Sequence, residues 1–448
     1  MLTWQDLTAV GAVERERCAF LLRAIDAHRS SEEYKTAVAA DAYDRQRNPT
    51  IMQYVKLLQT LTGERVQDTF NANYKLPSNF FNRFVTQANQ YLLGNGVVMQ
   101  EQNKRRLGED FDVRLQELGR AALLHGVSFA FYNVDHVEIF RLTEFVPLWD
   151  EETGALKAGV RYWQIDGDKP LRVTLYEPDG FTEYVKQKDR EMDVRQEKRP
   201  YKLVKSVSAV EGERIVHGEN YAGFPIVPLW GAPTHQSALV GLRENIDCYD
   251  LIKSGFANDI DDASMIYWVL TNTGGMDEMD LAAFVDRMRR VRVATVDGDV
   301  GAKAEAHTME VPYQSRIAYL DRLEADMYKD FQALNVMNIA SGNKTATEID
   351  AAYEPLNTKT DLYEYCVLDF LHRLFALAGI EDTPGFVRSR IVNQLEITQM
   401  VMTAAQHLDD ETILRKLPWL TPEEVDEILK RRDAEDVARM TGGDPLDE

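Results

Sequence analysis

At 448 residues the chain is too long for one simple core and predicts two or three sub-domains. With 44% hydrophobic and 28% charged residues it can bury a normal interior, which excludes an intrinsically disordered protein. The formal net charge of -22 excludes tight, salt-sensitive binding along a nucleic-acid backbone, because most of the surface would repel phosphate; DNA that only passes by stays open.

Three cysteines, Cys18, Cys248 and Cys366, lie far apart in no ligand spacing, so buried free thiols in a reducing compartment are expected. No apolar run reaches the ~18 residues a membrane span needs. The nearest, from Tyr365 to Ile380, is broken by Asp369, His372 and Arg373. The first residues lack a basic region followed by an apolar core, so no secretion signal is expected.

In chain order, residues 1 to about 45 predict two helices, the second opened by a capping box of Ser30 with Glu33. Pro77 to Leu93 predicts a helix stopped by Gly94, Asn95 and Gly96. Its Phe80, Phe81, Phe84 and Tyr91 read as core, since only Arg83 is interleaved where a base-stacking platform needs several cations. Phe111 to His125 predicts another helix. From Gly126 to about Trp230 short β-rich runs alternate with turn signals, while Lys186 to Lys202, a mixed run of charge, reads as a solvated excursion. The fold class is therefore α+β, mostly helical, with an antiparallel β insert at 126–230 between two helical portions.

Two long amphipathic segments follow. From Ser237 to Asn272 apolar residues at Leu239, Leu242, Ile246, Tyr249, Ile252, Phe256, Ile260 and Ala263 fall on one side of a helix, a strut of roughly 45 to 50 Å. Outside that stripe lie Glu244, Asp247, Asp250, Asp259, Asp261 and Asp262, against only Arg243 and Lys253. Such a helix lines a solvent-filled space or an assembly seam. Tyr313 to Asn338 repeats the pattern with Ile317, Leu320, Leu323, Met327, Phe331, Leu334 and Met337, and the two predict an antiparallel pair bridged at one tip. The bridge, Tyr267 to Pro312, reads as a small αβ module with a hairpin at its tip. Asp297, Asp299 and Gly301 fail as a calcium loop, because glycine stands where an oxygen ligand is required and Thr308 where the closing glutamate belongs.

Ile339 to Ala346, IASGNKTA, fails as a phosphate loop, with Asn343 and Asn338 where glycines are needed. Thr345 with Glu348 makes a capping box opening a helix through Ala378; Pro355 should bend it and Gly379 should end it. Beyond Thr383 helices are expected at Asn393 to His407, at Asp409 to Leu417 and from Thr421, followed by a frayed tail.

No catalytic constellation survives. Zincin, Cys-x-x-Cys, nucleophile-elbow and dinucleotide fingerprints are all absent from the sequence, and His125, His217, His307 and His372 sit in apolar or strand-like settings that suit structural histidines. Acids one helical turn apart, Asp247 with Asp250 and Asp259 with Asp262, could be recruited by tertiary folding as in Mg²⁺-dependent nucleases, which keeps a metal-dependent DNA-processing enzyme as the alternative. No cofactor is expected.

Three separated blocks, Ala72 to Val97, Leu142 to Trp163 and Ser254 to Ser264 (SGFANDIDDAS), in that order closely resemble the portal proteins of tailed bacteriophages, a resemblance that covers nearly the whole chain. It implies a non-enzymatic ring of subunits, usually twelve, at one capsid vertex, a conduit for double-stranded DNA during packaging and ejection. Mapped by element order, it implies a wing at 1–236 with a long kinked helix at 348–382, and a stem of 237–264 with 312–337. The clip would be 265–311, the tunnel loop 338–347 and the crown 383–448. Implied partners are further copies of the chain, the large terminase subunit and a head-to-tail adaptor meeting the clip, the major capsid and scaffolding proteins, and weakly held DNA, with no membrane; the location implied is the virion, and the host cytoplasm during assembly. Candidate contacts are Ser341, Gly342, Asn343, Lys344 and Thr345 in the tunnel loop, with Lys344 its sole cation, and Arg289, Arg290, Asp297 and Asp299 in the clip. Another ring-forming connector is a further alternative, though the length and β insert speak against a small adaptor.

Overall fold

The computed structural model describes residues 2–59, 64–67, 73–207, 214–263, 267–271, 303–307, 313–337, 345–389, 401–417 and 422–440, with 279, 398 and 420. Helices α1 (Trp4–Val10), α2 (Glu14–Ser30), α3 (Glu32–Asp44) and α4 (Pro49–Met52) open the chain. A short hairpin, β1 (Leu57–Gln59) with β2 (Arg65–Gln67), and an extended segment lead to α5 (Phe80–Leu93), β3 (Val97–Val98), α6 (Glu101–Arg105) and α7 (Phe111–His125). The α+β class holds. The break between α2 and α3 is capped by Ser31, whose Oγ accepts the Tyr34 amide, one residue beyond the expected Ser30.

Two antiparallel sheets follow. β4 (Val127–Asn133), β5 (His136–Arg141) and a later strand, β13 (Ile226–Trp230), form one in the order β13-β4-β5. The other runs β10-β9-β8-β7-β6 through β6 (Phe145–Trp149), β7 (Leu156–Trp163), β8 (Leu171–Glu177), β9 (Gly180–Lys186) and β10 (Met192–Arg199). β11 (Lys202–Val207) pairs with β12 (Arg214–Glu219). The solvated excursion expected between Lys186 and Lys202 is corrected by β10, an edge strand on β9. Only Met192 of that strand is buried, so its sequence shows no apolar alternation, and the charge that suggested a loop is the usual dressing of a sheet edge.

One core joins α5 and α7 to the three-stranded sheet, with Phe84, Leu92, Leu118, Ala122, Phe129, Phe140 and Leu229 fully enclosed. Its centre is aromatic: Phe129 and Phe145 lie 4.6 Å apart, and Phe131 and Tyr176 5.2 Å. The four aromatic residues assigned to the core in α5 are buried there. A second core seals α1 and α2 onto the five-stranded sheet through Leu7, Phe20, Leu21 and Ile25 against Leu148, Val160, Val173 and Tyr184.

Next come α8 (Arg243–Ala263), the strand pair β14 (Tyr267–Thr271) and β15 (Lys303–His307), α9 (Tyr313–Phe331) and α10 (Ala346–Ala378). In the αβ module the first and last strands pair with each other; the stretch expected to supply the tip hairpin lies outside the described residues. α10 opens with the expected capping box, Thr345 Oγ1 accepting the Glu348 amide and Glu348 Oε2 accepting the Thr345 amide, and stays helical across Pro355. It ends at Gly379, left-handed at φ 62°, whose amide donates to Phe375 O. The strand β16 (Gly385–Phe386) adds to β3, and α11 (Asp410–Lys416) and α12 (Pro422–Met440) follow. Cys18 is buried as expected, whereas Cys248 and Cys366 are only half-buried; all three are free thiols.

Candidate functional site

The sequence points to the strut, and the structure builds it shorter than expected. Ser237 to Leu242 forms turns, with Gly241 at φ 85°, so α8 begins at Arg243 and its 21 residues span about 32 Å. Helix α9 packs against it antiparallel. Asn245 Nδ2, near the start of α8, donates to Asp330 Oδ2, near the end of α9, at 3.1 Å. At the opposite end the Phe256 and Tyr313 rings meet edge-on at 5.8 Å, and Arg316 pairs with Asp259.

Burial fades along this pair. On α8 Ile246 is 1% exposed and Ile260, fourteen positions on, 46%. On α9 Phe331 is 2% exposed and Ile317 48%. The stripe read from the sequence is therefore core where α8 begins and α9 ends, and solvent-facing towards the αβ module.

The acidic face needs correction. Asp250 is 0% exposed. Its Oδ2 accepts from Asn48 Nδ2 at 2.9 Å and its Oδ1 from the Ser78 amide at 2.8 Å, and burial raises its pKa above the usual carboxylate range against those hydrogen bonds. Asp247 turns the same way, accepting from Tyr43 OH and, at 2.9 Å, from Thr50 Oγ1; burial, then this carboxylate, pushes the Tyr43 phenol up to about 12. The helical stripe places both acids beside the packing face, where α3, α4 and the loop before α5 supply donors that no local sequence pattern announces. Asp259 is half-buried in its pair with Arg316, the side chains of Asp261 and Asp262 lie outside the described residues, and Glu244 is exposed. Acids that the sequence reading passed over join it on α9: Asp321 and Asp330 are exposed and Glu324 half-exposed, the signal for Asp321 and Glu324 being the run DRLEAD beside the apolar stripe, with Asp330 beyond it.

The extended segment before α5 is bound to α8 by a polar ladder. The amides of Tyr74, Leu76 and Ser78 donate to Asn258 Oδ1 at 2.7 Å, Ser254 Oγ at 3.0 Å and Asp250 Oδ1 at 2.8 Å. Four helical residues advance about 6 Å and two extended ones about 6.6 Å, so side chains at every fourth position can serve alternate amides of a strand. At the other junction Lys359 of α10 donates to Phe331 O, at the end of α9, at 2.8 Å, with its Nζ 3.2 Å from the Phe331 ring centre. Burial pulls its ammonium down to about 7.

The remaining candidates divide simply. Thr345 is the exposed cap of α10, while Ser341, Gly342, Asn343, Lys344, Arg289, Arg290, Asp297 and Asp299 lie outside the described residues. Among the described residues no group of three or more His, Cys, Asp or Glu side chains could hold a metal, and no helix is long and apolar enough to cross a membrane. A cleft of about 860 Å³ runs between α10 and the strands β6 and β13. Of its lining, Asp369 and Arg373 pair with each other at 2.9 Å, and His235 stacks on Trp230. His125 is likewise structural, its Nε2 2.9 Å from Asp41.

The sequence profile of the family described as "Phage portal protein, SPP1 Gp6-like" matches residues 34–438. The chain belongs to this phage portal protein family. The portal protein of Bacillus phage SPP1 is 25% identical over 401 residues, 81% of this chain and 76% of the relative. The portal protein of Clostridium phage phiCD119 is 25% identical over 217 residues, 46% of this chain and 48% of the relative, so the match spans about half of that protein. Portal family membership implies a homo-oligomeric ring and a place in the virion. The match begins after α1 and α2, the two helices that seal the five-stranded sheet.

Proposed function

We propose that this chain forms the ring at the portal vertex of a phage capsid, through which double-stranded DNA enters during packaging and leaves at ejection, without catalysing a reaction itself. The observation that carries the reading is the antiparallel α8–α9 pair, buried at the wing and acidic and partly apolar beyond it, in a chain of the portal family. The pair would be the stem. Copies in a ring, twelve on the family's usual plan, would line the hole with Glu244, Asp330 and their neighbours, so the duplex is repelled from the wall and slides. Residues 265–311 would be the clip that meets the terminase and later the adaptor, 338–347 the tunnel loop, and 383–448 the crown.

The reading is tested by assembling heads with the Lys344→Ala variant and measuring nuclease-protected DNA. Rings should form normally while packaged DNA falls severalfold, because the tunnel loop loses its only cation; packaging at the unaltered level would remove the loop from the pathway.

A further inference from the structure

A closed ring of more than two copies needs two different, mutually complementary surfaces on each copy, because every subunit meets its neighbours head to tail. We infer that one of these is the β1–β2 hairpin arm, and that it docks on the outer face of the α8–α9 pair of the adjacent copy; this rests on the ring reading above.

The arm is a closed excursion. Lys75 Nζ donates to Met52 O at 2.6 Å across its base, and its returning limb is laced to α8 of its own chain by the ladder at Asp250, Ser254 and Asn258. The returning limb is thereby held beside its own strut. Two strands are too few to be stable alone in water, and such ribbons persist when something packs on them. Here the described side chains of both strands are exposed. Leu57, paired with Gln67, lies on one face with Arg65; Val66 lies on the other. Leu57 is 54% exposed, and Val66, Tyr54 and Val55 at the base are exposed too. Clustered apolar exposure on a soluble chain marks a surface awaiting a partner.

Charge selects the partner. The stretch from Arg45 to Lys75 carries Arg45, Arg47, Lys56, Arg65 and Lys75 against only Glu64 and Asp68, a basic segment within a chain of net charge -22. The α8–α9 pair is acidic and, away from the wing, apolar: Leu251 and Ile317 are exposed, and Asp321 lies one turn from Ile317 on the same face. Leu57 with Arg65 meeting Ile317 with Asp321 covers the open residues of both surfaces and opposes unlike charges, which also fixes the register of neighbours.

The test compares the protein concentration at which rings of the full chain dissociate, by analytical ultracentrifugation, for unaltered protein, Leu57→Asp, Arg65→Glu, and Arg65→Glu with Asp321→Lys. Leu57→Asp and Arg65→Glu should each raise that concentration about tenfold or more with unchanged monomer melting, since both positions are exposed, and the double charge reversal should recover most of the Arg65→Glu loss. Rings of the variants as robust as those of the unaltered chain overturn the arm assignment and leave the ring reading standing. Absence of rings from the unaltered chain overturns both.

Discussion

The wing and the strut are built from the same kinds of apolar residue, but only the wing finishes its packing within one chain. Phe129, on the face of β4 turned away from α7, is fully enclosed, with the rings of Phe145 and Trp149 4.6 and 6.4 Å from it and Phe140 directly across on β5. On the strut Ile260 and Ile317 continue the same helical stripes into solvent. A stripe of correct period therefore does not say what covers its face; here the proximal half is covered within the chain, and the distal half stays exposed.

The contrast breaks most visibly at Phe129. Phe129→Ala should cost about 3–5 kcal/mol of monomer stability by chemical denaturation, because it opens a cavity in a closed aromatic core. At the junction Asp250→Ala should cost about 1–3 kcal/mol, since it strands the Asn48 amide and the Ser78 N–H. The same variant should speed proteolysis in the extended segment, which loses one rung of its ladder.

These positions also show what the sequence could and could not disclose. Local signals were legible: the Thr345–Glu348 box and Gly379 bound α10, and the Phe111–His125 periodicity bounds α7. Signals that depend on distant partners were not. Asp250 lies among acids on an amphipathic helix and reads as solvated until Asn48 and Ser78, about 200 and 172 residues earlier, are folded against it. β10 is stabilised by pairing on β9, which leaves no mark in a strand with one buried side chain. Gly241, by contrast, was a visible stop that the long apolar stripe overrode, and the strut was read too long for that reason. The tunnel-loop cation Lys344 and the clip contacts lie outside the described residues, so their reading still comes from family likeness.

Phe256→Asp sharpens the strut side. Phe256 is half-buried against Tyr313 and Arg316, so the monomer should lose about 1 kcal/mol, less than at Phe129, while ring assembly suffers more than monomer melting does. A loss as large as that of Phe129→Ala would mean that the strut completes its own core.

A pH-dependent effect is expected at Lys359. Its ammonium is held down to about 7 by burial, so the folded chain carries fewer protons than the unfolded one between that value and the ordinary lysine range. The stability it contributes is full above the ordinary range and is lost as pH falls through about 7. The melting temperature should accordingly rise with pH across that window, and Lys359→Met should flatten the rise while leaving rings intact. A slope unchanged by the substitution would show that the Phe331 carbonyl and ring hold the lysine charged throughout.

Electron microscopy of the purified full-length protein reaches the central claim most directly. Class averages should show closed rings with a central hole whose wall is made by the α8–α9 pairs, their exposed acids towards the opening. Monomers alone at assembly concentrations, or rings whose struts point away from the hole, would contradict it.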